Sequence, residues 1–157
     1  MTLALVRVED RYIHGQVVVG WGQALGAEQI VLVDDAVSQS EWEQELYRMG
    51  APPGIEVTFV SVMNAPGRIR EVAASRRRAI VVAGDVETML RLCEVAPEIR
   101  AVNIGGLHQA PGRRERLPYV FLSDEESDQL RRLEARGVDV RAQDVPTARP
   151  VALKDLL

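Results

Sequence analysis

His14 lies in the segment Glu9-Asp10-Arg11-Tyr12-Ile13-His14-Gly15-Gln16-Val17, three residues after an arginine and one before a glycine. An imidazole is a competent nucleophile for covalent intermediates. A nearby guanidinium supplies a planar, permanently charged fork that matches phosphate oxygens. Upstream, Leu3, Leu5, Val6 and Val8 form a short apolar run suited to a buried strand, and downstream Val17, Val18, Trp21, Ala24 and Leu25 recur at helical spacing. His14 therefore belongs to a strand-to-helix loop, where unpaired N–H groups and the positive end of the helix dipole favour an anion. The amides around Gly15 and Gln16 would cradle a phosphate, and Arg11 would neutralise its oxygens. Together these residues point to a histidine that is itself phosphorylated. A helix cap, or a core histidine satisfied by hydrogen bonds, would use the same position, and spacing alone leaves those readings open.

The neighbouring polar residues have several uses each. Asp10 can accept the other ring N–H of His14, pair with Arg11, or cap the helix. Glu9 reads as a solvated loop carboxylate. Asp34 and Asp35 follow an apolar run, so they read as turn aspartates that bond locally, with contact to the site from behind. Gly105 and Gly106 end another such run, and they either let the backbone approach a phosphate or form a tight turn. His108 reads as structural or partner-facing rather than catalytic. Two histidines without a fixed ligand spacing make no metal site, and no cofactor is implied. Gly20, Gly22 and Gly26 lie inside a helical pattern with the wrong spacing for a dinucleotide loop, and no Walker-type sequence occurs.

Composition narrows the class. A chain of 157 residues with 46% hydrophobic content and a net charge of −4 reads as one globular domain over residues 1–157, with no reason to expect nucleic acid or an anionic membrane as partner. The single Cys93 falls in a helical pattern and excludes an internal disulfide. No segment resembles a signal peptide or a ~20-residue membrane span, so a cytoplasmic location is expected.

Strands are expected at 3–8, 30–33, 55–60, 79–82, 101–104, 119–122 and 138–142, and helices at 15–25, 39–49, 66–74, 86–95 and 124–136. Ser38 with Glu41, and Ser123 with Glu126, have capping-box spacing, and Gly137 marks a helix stop. Alternation of strand and helix predicts a three-layer α/β fold: a mostly parallel sheet of about seven strands with helices on both faces. Ligands of such sheets bind beyond the carboxyl ends of the strands, which is where residues 9–14 fall.

The run Asp-Arg-Tyr-Ile-His-Gly-Gln-Val-Val-Val-Gly-Trp resembles the active-site signature of the IIB components of mannose/fructose/sorbose-class sugar phosphotransferase systems. Val31-Leu32-Val33-Asp34-Asp35, Val102-Asn103-Ile104-Gly105-Gly106-Leu107-His108 and Gln143-Asp144-Val145-Pro146-Thr147 resemble further family segments in the right order. The resemblance implies that the first strand is near the sheet centre and the final strand antiparallel. It implies a phosphotransferase in which His14 takes phosphate from a phosphohistidine of a IIA partner. His14 would then pass it to a sugar, in concert with membrane IIC and IID components. It also implies a homodimer, to which Trp21 or Trp42 would contribute, core packing being an equally good use for either. Two departures stand out: Tyr12 replaces a leucine, and Ala83-Gly84-Asp85 stands where the family often has a Lys or an Asn-Pro loop. These leave room for an alternative, a regulatory phosphoprotein of the same fold that serves no sugar transport.

Overall fold

The computed structural model describes residues 3–13 and 15–157, with the backbone alone at 16–18. Its strands are β1 (Leu3–Val8), β2 (Gln29–Val33), β3 (Glu56–Val60), β4 (Ala79–Ala83), β5 (Ala101–Ile104), β6 (Arg114–Leu117), β7 (Val120–Leu122), β8 (Asp139–Ala142) and β9 (Val151–Ala152). Seven of them form one sheet in the order β3-β2-β4-β1-β5-β8-β9, parallel throughout except for the β8–β9 pair. β1 is central, with Val8 opposite Ala83 on one side and Ile104 on the other. All five residues of β2 and of β4 are buried, as continuous apolar runs covered on both faces should be.

Two apolar layers enclose the sheet. On one face, Val6, Val8, Val81 and Ile104 pack beneath α3 (Ala65–Ala74), α4 (Val86–Val95), α5 (Asp124–Ala135) and α6 (Leu153–Leu156). On the other, Ile30, Leu32, Ile80 and Val82 meet Trp21 and, on α2 (Glu41–Met49), Tyr47. The expected three-layer architecture is present. Among the described residues no helix is long and apolar enough to cross a membrane.

Several elements differ from the sequence expectation for local reasons. The helix after residue 15 begins as a π-helix, Gln16–Gly22, and only its end, α1 (Gln23–Leu25), is α-helical. The sequence Val17-Val18-Val19, with two glycines within the next three residues, has low helix propensity. The second helix does not start on a Ser38 cap. Val37–Gln39 forms a 3₁₀ turn whose first amide donates to Asp34 Oδ1 at 2.8 Å, and the Ser38 hydroxyl donates to the Asp35 carbonyl. The strand expected at 119–122 is absent from the main sheet. It is β7, paired antiparallel with β6, and Leu107 bridges to Val120. The antiparallel edge strand is β9 rather than 138–142, since β8 runs parallel to β5.

The Ser123–Glu126 capping box is present in both directions, and Gly137 has φ of 89° just beyond α5. Trp21 is 5% exposed and serves the core, so only Trp42, at 71%, remains as an exposed tryptophan. Replacing Ser123 with alanine removes one N-terminal acceptor of α5 and should cost about 1 kcal/mol, to be measured as a shift in urea midpoint at constant slope.

Candidate functional site

The chain leaving β1 continues the sheet ladder for two more residues. Glu9 N–H donates to the Ala83 carbonyl at 2.9 Å, and Asp10 N–H donates to the Gly106 carbonyl at 3.0 Å. A turn follows, closed by Tyr12 N–H on the Glu9 carbonyl. Tyr12 itself has φ of 51°, a left-handed backbone that a bulky residue adopts only when its surroundings hold it there. Those surroundings are explicit. The Tyr12 hydroxyl donates to Asp34 Oδ2 at 2.6 Å, and its ring stands edge-on to Tyr47 at 5.3 Å. It also covers Gly84 so closely that a Cβ there would meet the end of the ring. Burial, with Asp34 second, raises the Tyr12 phenol well above its ordinary value, so the hydroxyl remains a donor.

Beneath the loop lies an ion pair that the sequence reading missed. Arg7, on β1, is fully buried, and Glu9 is 5% exposed rather than solvated as expected. The Arg7 guanidinium spends all five N–H donors: Nε and Nη2 on Glu9 Oε2, Nη1 on Asn103 Oδ1 and the Gln143 carbonyl, and Nη2 again on the Asp144 carbonyl. It lies over the Trp21 ring at 5.2 Å, and Trp21 Nε1–H donates to the same Asp144 carbonyl. Burial lowers the Arg7 pKa from its ordinary value, and Glu9 opposes that shift. The available signal was an arginine inside a continuously apolar strand, because a charge buried on both sides needs a partner.

This pair explains Gly105 and Gly106. A Cβ at 105 would overlap the Arg7 guanidinium and the Glu9 carboxylate, and one at 106 would lie 2.7 Å from Glu9 Oε1. Gly106 N–H donates to Glu9 Oε2 at 2.9 Å. The two glycines therefore make room for a carboxylate of this chain.

The remaining expected residues fall as follows. Asp10 turns its carboxylate to His108, accepting from the backbone N–H on Oδ2 and meeting ring Nδ1 with Oδ1, each at 2.7 Å. Arg11 is exposed and has no ion-pair partner among the described residues. Gly15 precedes the π-helix with no side-chain cap, and Gln16 opens it. His14 lies outside the described residues. Asp34 joins the Tyr12 loop to its own turn, whereas Asp35 accepts from Val62 N–H at 2.9 Å and pairs with Arg91. The Val62 bond, with Arg91 in support, holds the Asp35 carboxyl below its usual value. Asp85 caps α4 by accepting from Thr88 N–H.

A strand-end loop with an arginine unpaired among the described residues, next to a helix start without a side-chain cap, has the chemistry to meet a tetrahedral anion. Comparison with known proteins supplies a family. Residues 3–157 match the family described as the phosphotransferase system sorbose subfamily IIB component. The chain belongs to that family. Among relatives of this IIB component, the N-acetylgalactosamine-specific phosphotransferase enzyme IIB component 1 of Escherichia coli is 30% identical over 92% of this chain and 91% of its own. The mannose-specific EIIAB component of E. coli is 26% identical over 100% of this chain but only 49% of its own. The solved IIBSor domain of the sorbose permease from Klebsiella pneumoniae superposes with a TM-score of 0.89 at 28% identity, covering 99% of this chain and 96% of that one. IIB components are phosphotransferases that in general take phosphate from IIA and pass it to a sugar, working with IIC and IID.

Substituting Arg7 with methionine strands Glu9 in the interior of this IIB component and should cost about 3–5 kcal/mol. Urea unfolding is the measurement.

Proposed function

We propose that His14 is the phosphoryl acceptor of this IIB component, taking the group from a phosphohistidine of the phosphorylated IIA partner and giving it to a sugar held by the membrane IIC and IID components. The observation that carries the reading is Arg11: exposed, unpaired among the described residues, and three residues before His14 at the end of the central strand. A IIA partner is supported by the mannose relative, whose name joins A and B components and whose length is about twice the matched region.

In the first step a ring nitrogen of His14 attacks phosphorus, and the phosphorus–nitrogen bond to the donor histidine breaks. In the second, a sugar hydroxyl oxygen attacks, its proton leaves, and the His14–phosphorus bond breaks. Phosphoryl transfer asks the protein mainly for positioning and charge. Arg11 stabilises the equatorial oxygens, while the amides at Gly15 and Gln16 receive the phosphate at the helix start. Asp10, Asp34, Gly105 and Gly106 act on this loop from behind, through the contacts described above, whereas Asp35 is spent on Val62 and Arg91.

Incubation with phosphorylated IIA should place acid-labile phosphate on His14, detectable by mass spectrometry. His14→Ala should abolish the label, and label persisting in that variant would overturn the assignment. Arg11→Ala should slow phosphoryl acceptance about a hundredfold, the usual cost of one stabilising contact in a transition state, with little change in melting temperature.

A further inference from the structure

Asp10 is adjacent to Arg11 in sequence, and a carboxylate that reaches a guanidinium forms a charge-assisted pair with it. Here it does not. Both Asp10 oxygens are taken by His108, one by its backbone N–H and one by ring Nδ1, at 2.7 Å each. His108 is held for this purpose. Its carbonyl accepts from Arg113 Nη1 at 2.8 Å, and Arg113 is in turn clamped by the Glu126 carboxylate at 2.8 and 3.0 Å. On the inner side, the Cβ position of Gly106 is 3.5 Å from the imidazole. The Glu9 carboxylate lies beyond, paired with Arg7. The imidazole is half-exposed, and among the described residues its Nε2 has no partner.

We propose that His108 is a positioning residue for phosphoryl transfer: by holding the Asp10 carboxylate it prevents Asp10 from pairing with Arg11, and so leaves the Arg11 charge available to the phosphoryl oxygens. A free Asp10 would oppose the reaction twice, by neutralising Arg11 and by presenting a negative charge to an incoming anion. The hydrogen bonds from His108 fix both the direction of that carboxylate and the loop that bears it. This inference rests on the reading of His14 as acceptor and adds the residue that keeps its cation free.

The test uses phosphoramidate, a small phosphoryl donor that needs no partner protein. A ring nitrogen of His14 displaces ammonia from phosphorus, and the label on His14 is followed by mass spectrometry in the full chain. His14→Ala reports on the underlying reading: loss of label supports it, and retained label overturns it and this inference with it. Given loss of label there, His108→Ala should slow labelling about tenfold, the scale of a lost charge-assisted hydrogen bond. His108→Asn keeps an N–H close to the Nδ1 position and should stay within about threefold of the parent rate. The deciding variant is Asp10→Asn combined with His108→Ala, which removes the competing charge and should recover most of the lost rate. His108→Ala labelling at the parental rate would overturn the proposal. A double variant as slow as the single would do the same, because a purely structural His108 gains nothing from a neutral residue 10. Thermal melts of each variant establish that the labelled species is folded.

Discussion

The five-donor saturation of Arg7 is the constraint on which the functional edge depends. A guanidinium removed from water must satisfy every N–H or lose several kcal/mol, and few arrangements achieve that with a single carboxylate. Here the remaining acceptors are Asn103 of β5 and the two carbonyls that follow β8, so three strand ends are drawn to one charge. The same charge lies over Trp21, which ties down the helical segment after His14. Glu9, its ion-pair partner among the described residues, is two residues along the chain and begins the loop. The site loop is thus fixed at its root by a buried electrostatic contact, while its tip carries the exposed Arg11.

That arrangement separates two kinds of charge at one edge. Inward-directed carboxylates are spent on structure: Glu9 on Arg7, Asp10 on His108, Asp34 on Tyr12 and a turn amide, and Asp85 on a helix start. An acidic chain therefore presents an exposed cation, Arg11, at the end of its central strand. The net charge of −4 says little about the local field.

Much of this was legible in the sequence. Hydrophobic runs located β2 and β4 because strands buried on both faces have no alternation to lose, and the Ser123–Glu126 spacing located the start of α5. The Asp10-to-Ile13 motif located the loop that leaves the central strand. What stayed hidden depended on contacts between distant segments. β6 reads Arg-Glu-Arg-Leu, with no apolar period, and exists because it pairs with β7. The choice of His108 over Arg11 as partner for Asp10 is a long-range outcome that no local spacing encodes. Gly105 and Gly106 read as phosphate-approach or tight-turn glycines because the Arg7–Glu9 pair that occupies their space was itself unseen.

The contact of Tyr12 with Gly84 joins two oddities of this chain into one. A tyrosine in place of the resembling family's leucine and a glycine in the loop after β4 look like separate changes in the sequence. In space they are halves of a single volume, since the ring fills what a side chain at 84 would occupy. Positions 12 and 84 are then expected to drift together in descent. A smaller residue at 12 opens room at 84 for a side chain, including a basic one, at the rim of the site. The identity of one aromatic ring thereby determines which residues this lineage can recruit beside the loop that leaves its central strand.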